Sequence, residues 1–331
     1  MTADKSRRLF LRHSVAAVIA LPAVVMAQPK ARMRRVALLL SSNPAGASHV
    51  VKALLDGLAE LGWVEGRNLR LEIRYAEGDA SRYRPLAAEL LGLKPDVVAV
   101  AINHAAQEAA ALTKTVPIVF ILGSNPVERG LVQSLAKPGG NVTGLSTLTI
   151  ELMSKRLALL KEAVPGLKRV AVMYATGFPV ADPIVKSLAG PARTLGVAIL
   201  SSEIPDADGI DRAFEQVSQQ KADGIMPLPD GFMYQHRARV MDLAIKHRLA
   251  CAVNAIEFAR AGALFIYGAN FVAMYRRSAT LIDKILKGAN PATIPVEQAS
   301  VFDLVVNLKT ARALGIKLPR SFLLQATETI E

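Results

Sequence analysis

The chain has 331 residues, 51% of them apolar, with one cysteine and a net charge of +12. That length holds two domains of ordinary size, the apolar share supports large cores, and a lone cysteine excludes an internal disulfide. The charge does not mark a nucleic-acid partner, because lysines and arginines are dispersed among acids, as in SKRLALLKEA at 154–163, with no basic run interleaved with aromatics after residue 27.

In chain order, residues 1–27 read as an address. SRRLFLR at 6–12 carries paired arginines, an apolar stretch follows at 14–25, and Val25-Met26-Ala27 offers a small-residue cleavage site. This is the pattern of a twin-arginine export signal, and its apolar run is shorter than the roughly 20 residues a bilayer span needs. Export places the remaining chain, at about +9, outside the cytoplasm.

Two series of alternating elements follow. In the first, strands are expected at 36–41, 69–75, 96–102 and 117–122, with helices at 48–61, 81–91 and 105–113. The strands are continuous apolar runs such as VALLL and DVVAVAI, the pattern of strands covered on both faces. The helices repeat apolar residues every three or four positions, as in VVKALLDGLAELG. After 117–122 comes GSNPVERGLVQSLAKPGGNVTG, read as a strand end leading into a short helix and then a break. In the second series, helices are expected at 151–164, 179–195, 210–219 and 234–247, and strands at 169–175, 197–204, 224–228 and 250–254. FIYG at 265–268 is strand-like, 270–286 is a long helix, VEQASVFDLVVN is extended and LKTARALG is helical. Strand–helix alternation implies parallel sheets with right-handed crossovers. The expected fold class is therefore α/β, with two Rossmann-like lobes joined by a multi-crossing hinge. The first lobe takes 31–145 plus 264–292 and the second 146–263 plus 293–331.

Ligands of open parallel sheets bind beyond the carboxyl ends of the strands. Those ends carry Ser41, Ser42, Asn103, His104, Gly123, Ser124, Asn125, Tyr174, Asp230 and Asn254, with Tyr267 closing the crossing strand. Ser, Asn and Gly offer hydrogen bonds without strong nucleophilicity, and helix starts behind them offer N–H groups to a carboxylate. Asp230 suits an ammonium group, and Tyr174 and Tyr267 offer flat faces. The same residue types also serve as helix N-caps. No G-x-S-x-G, HExxH, P-loop or G-x-G-x-x-G occurs, and the histidines show no metal-ligand spacing. Cys251 sits in an apolar run and reads as a small buried thiol. No catalytic residue, metal or cofactor is expected. An exported hydrolase using Ser41 or Ser124 lacks a histidine partner in the sequence pattern.

Four segments, ELGWVEGRNLRLEIRYAEGD, GSNPVERGLVQSLAKPGGNVTGLS, IDKILKGANPATIPVEQASVFDLVVNLKTARALGIKLP and the closing ETIE, resemble the periplasmic substrate-binding proteins of ABC importers. The branch is the one related to tryptophan- and tyrosine-binding receptors, and the likeness covers nearly all of the chain after the signal. The resemblance implies a type I periplasmic-binding fold with a small solute clamped between the lobes. It also implies a location in the periplasm, an ABC permease in the inner membrane as partner, and a monomer without nucleic acid. By position, Ser41, Ser42, Asn103 and the Gly123-Ser124-Asn125 loop would line the first lobe, and Tyr174, Asp230 and Asn254 the second. Asp230, after PLP, matches the acid that receives the α-amino group in amino-acid-binding relatives. AGALFIYG, Asn270 and QATETIE depart from the usual pattern, which bears on the ligand more than on the fold. A ligand-sensing role for a signalling receptor is the alternative the same fold implies.

Overall fold

The computed structural model describes residues 32–178, 181–228 and 230–331. The expected export signal at 1–27 lies outside these residues. Among the described residues, thirteen strands form two sheets: β1 (Arg34–Leu40), β2 (Leu69–Tyr75), β3 (Val97–Ile102), β4 (Ile118–Gly123), β5 (Val142–Ser146), β6 (Arg169–Ala175), β7 (Ala198–Ile204), β8 (Gly224–Pro227), β9 (Ala250–Val253), β10 (Phe265–Ala269), β11 (Glu297–Gln298), β12 (Phe302–Asn307) and β13 (Glu328–Ile330). The first sheet has the order β11-β5-β4-β3-β1-β2 and the second β13-β12-β10-β9-β8-β6-β7. Every pairing is parallel except β10 with β12.

The apolar runs bury both faces of each central strand, as their continuity requires. In β1, Val36, Leu38 and Leu40 enter one core cluster, while Ala37 and Leu39 enter the cluster on the opposite face. β3 divides the same way. Each fully buried Val or Leu contributes roughly 1.5–3 kcal/mol of transfer free energy.

The helix Pro44–Glu60 starts where Asn43 Oδ1 accepts the Gly46 N–H at 2.8 Å, with Pro44 in the first turn, where its missing donor costs nothing. Its face of Val50, Leu54 and Leu58 packs against the helix Phe271–Leu286. Gly57 allows the close approach, since a Cβ there would lie 2.7 Å from the Arg276 carbonyl. Trp63 Nε1 donates to Asp283 Oδ1 at 2.8 Å and fixes the same pair.

The boundaries expected from the sequence move. The sequence pattern places residues 264–292 in the first lobe, but β10 pairs with β9 and β12 in the second sheet, and only the helix after it returns to the first. Likewise the pattern places 293–331 in the second lobe, yet β11 pairs with β5 in the first. A short apolar strand reads the same in either sheet, so its partner is set by long-range pairing that the local pattern does not carry.

Three helical expectations also change. The helix expected across 179–195 is two, Ala181–Ser187 and Ala189–Leu195, because Pro191 cannot continue an interior ladder. The helix expected at 234–247 is Gly231–Gln235 followed by Arg237–Lys246, broken at His236. The short helix expected after Ser124 is a set of turns, since Asn125 (φ 50°) and Gly130 (φ 67°) are left-handed.

The chain passes between the lobes three times, after β5, after β10 and after β11. The passages are bonded to one another. Ala299 N–H donates to the Ser146 carbonyl at 2.8 Å, and Asn270 N–H donates to the Val301 carbonyl at 2.9 Å. Asn270 Nδ2 also reaches Asp303 Oδ2 at 2.8 Å, while its Oδ1 caps the helix Phe271–Leu286 through the Ala273 N–H.

Candidate functional site

The carboxyl ends of β1, β3 and β4 carry the first group of expected residues. Ser41 and Ser42 are half-buried, with Ser41 beside the Tyr83 phenol, whose pKa burial raises. Asn103 is buried, and its amide is spent on the backbone of Ser124. Oδ1 accepts the Ser124 N–H at 3.0 Å and Nδ2 donates to the Ser124 carbonyl. Asn103 therefore holds the loop after β4 in place. Gly123 is buried, and its carbonyl accepts both the N–H (2.7 Å) and the hydroxyl (2.9 Å) of Thr147 from the first crossing. A side chain at Gly123 would collide with the Phe120 ring. Ser124 and Asn125 remain half-buried, with Ser124 Oγ 3.3 Å from Asn125 Oδ1.

In the second lobe the outcome divides. Tyr174 is buried in the core, where its hydroxyl lies 2.7 Å from Ser201 Oγ, so it does not offer the flat face expected of it. Strand alternation turns it into the same core as Val170 and Val172. Asp230 is also buried. Its Oδ1 accepts the Met233 N–H at 2.6 Å and its Oδ2 the Ala175 N–H at 3.0 Å. It is the N-cap of the helix Gly231–Gln235 and ties that helix to the end of β6, so its carboxylate is committed to backbone donors rather than held ready for an ammonium. Burial raises its pKa, against the opposing pull of those donors. Asn254 and Tyr267 stay half-buried; the Tyr267 ring stacks on Phe302 at 6.0 Å between centroids.

His104 is exposed, edge-on to Tyr83 and 3.7 Å from Glu108. The Ser124 hydroxyl lies beside Asn125 Oδ1, and among the described residues no hydrogen bond joins the Ser41 or Ser124 hydroxyl to an imidazole. Cys251 is buried, which pushes its thiol pKa up. Among the described residues no group of three or more His, Cys, Asp or Glu side chains has metal-site geometry.

Two residues that the sequence reading did not single out face each other here. Arg129 lies on the turn after β4, anchored where Gln107 Nε2 donates to its carbonyl at 3.2 Å. Its guanidinium carbon is 5.9 Å from the ring centroid of Phe178, on the loop after β6. This contact joins the strand-end loops of the two lobes. A turn has no periodicity to expose such a residue, and the arginine in NPVERG reads as an ordinary solvated charge. Beside it, a recess of about 80 Å³ is lined by Asn125, Glu128, Ser146, Glu151 and Gln298, where the first and third crossings meet. A larger open groove of about 390 Å³ runs between Gly57, Arg276 and the 298–301 crossing and includes none of the expected strand-end residues. The strand-end location is favoured over it because that is where parallel sheets present their loops and helix starts.

Comparison with known proteins adds to this geometry. The family described as ABC transporter substrate binding protein matches residues 36–330. A tyrosine-binding protein of Clostridioides difficile (strain R20291) is 26% identical over 267 residues, 80% of this chain and 76% of that protein. Among solved structures, a conserved domain protein of Vibrio cholerae O1 biovar eltor is 28% identical with a TM-score of 0.81, covering 90% of this chain and all of the other. An ABC domain in complex with L-Trp from Streptococcus pneumonia is 25% identical with a TM-score of 0.81, covering 90% and 99%. The two-lobed architecture with mostly parallel sheets is that of type I periplasmic binding proteins.

Proposed function

Because the chain belongs to the family of ABC transporter substrate-binding proteins, and so binds a small molecule for an ABC transporter, we propose that its solute is a small carboxylate-bearing molecule of aromatic amino-acid type, held between the lobes. The observation that carries this reading is that a tyrosine-binding protein and an L-Trp complex both match the chain over most of its length. The half-buried Ser41, Ser42, Ser124, Asn125 and Asn254 supply hydrogen bonds, and Phe178 and Tyr267 supply apolar faces. Members of this family work outside the cytoplasm, and the SRRLFLR segment supports export to the periplasm. There the protein acts as a monomeric receptor that hands its solute to a permease. Its function is binding without catalysis: ligand shifts the population toward a closed state by binding that state better.

Thermal melting of the protein against aromatic and aliphatic amino acids tests this. A ligand bound only by the native state stabilises it by about 2.7 kcal/mol at a hundred times its dissociation constant. A raised midpoint confined to L-Trp, L-Tyr and their relatives is the expected result. A shift with aliphatic amino acids alone, or with none of these compounds, rejects the aromatic solute.

A further inference from the structure

Among the described residues, three buried side-chain polar atoms have no hydrogen-bond partner: Arg35 Nε, Arg129 Nε and Glu257 Oε2. Arg35 belongs to the start of β1, where its backbone N–H meets Asp96 and its Nη1 meets the Leu93 carbonyl. Glu257 lies against the Tyr234 phenol. Arg129 alone of the three stands on a loop that touches both lobes. Its guanidinium has no carboxylate partner among the described residues, although the protein elsewhere pairs exposed arginines readily, as in Arg74–Glu89 and Arg277–Glu297.

A guanidinium taken partly out of water without a counter-charge is held at a cost, and here burial lowers its pKa. An anion arriving at its planar fork would offset that cost with charge-assisted, geometrically matched hydrogen bonds. The Phe178 ring lies to one side of the guanidinium, 5.9 Å from its carbon to the ring centroid, and no protein acceptor meets the buried Nε. Asp230, the acid expected to set ligand charge preference, is meanwhile occupied by backbone donors.

We propose that Arg129 is the receptor for the ligand's carboxylate, so that the acid group rather than the amino group dominates selection. This rests on the aromatic-solute reading above and names the residue that enforces it.

Isothermal titration of L-Trp, its deaminated analogue indole-3-propionate and its decarboxylated analogue tryptamine into wild type, R129Q and R129K separates the possibilities. Wild type is expected to bind both carboxylates and to bind tryptamine about a hundredfold more weakly, the range seen when a buried charge loses its partner. R129Q is expected to lose about a hundredfold on both carboxylates while tryptamine changes less than twofold. R129K, which keeps the charge and loses the fork, should fall between them. Should R129Q lower the unliganded melting midpoint, R129K decides by the same comparison. Equal losses on all three ligands would assign Arg129 a structural role and overturn the proposal, as would unchanged carboxylate affinity in both variants. A wild-type protein that binds none of the three overturns the solute reading itself, and the role of Arg129 with it.

Discussion

Asp230 collects backbone N–H groups from two segments, and that shapes what its loss would do. Asp230→Ala removes a cap and leaves buried donors at Met233 and Ala175 unpaired, at an expected cost of about 2–3 kcal/mol, measurable by urea unfolding. Its raised pKa has a further consequence. A carboxyl raised on folding binds protons more readily in the folded state, so its contribution makes stability fall as pH rises from the ordinary value of 3.8 through the folded one. The stability of wild type relative to Asp230→Asn should decline across that acid window and be flat above it. Arg156 presents the opposite chemistry. It is fully buried on the helix Thr149–Ala163, with Nε donating to the Tyr267 carbonyl at 2.9 Å and Nη1 lying 2.7 Å from Met153 Sδ, and burial pushes its pKa down to about 10. Arg156→Ala should cost about 3 kcal/mol through the cavity it opens, and Arg156→Met, which fills the space without the charge, clearly less. Denaturation midpoints of the two variants test the order.

β4 and β5 approach each other so closely that Gly144 faces Phe120 directly, and a Cβ there would collide with the Phe120 carbonyl and ring. Gly144→Ala should therefore destabilise by about 1–3 kcal/mol through overpacking, with the unfolding midpoint as the readout. Elements of this kind show what the sequence discloses. VALLL, DVVAVAI and PIVFIL announce buried parallel strands because continuous apolar runs have few other uses, and every expected strand from 36 to 254 is present. Asn270 at the head of a periodic run announces a capped helix, and one forms. The partner of β10 stayed hidden, since FIYG suits either sheet. The site was legible only as a location. Strand ends could be found, but whether Asn103, Tyr174 and Asp230 turn toward a solute or toward neighbouring backbone depends on contacts 21 to 55 residues away in sequence. Arg129 was invisible for the complementary reason: its significance lies in the partner it lacks.

At the scale of the molecule, the three crossings form a hydrogen-bonded ribbon rather than three independent strings. The bonds Ala299 to Ser146 and Asn270 to Val301 restrict the lobes to bending about that ribbon. Saturation with L-Trp should lower the radius of gyration in small-angle scattering, and an unchanged value with bound ligand would rule out closure. The same connectivity governs how the protein comes into being. The first lobe needs the helix Phe271–Leu286 and β11, and the second needs β12 and β13, so neither is complete when residue 269 has been made. During synthesis both lobes wait, their cores partly open, until these closing elements leave the ribosome. Folding is thus expected to be committed late and for the two lobes together, with chaperones rather than the chain's own core covering its apolar strands until the closing elements are made.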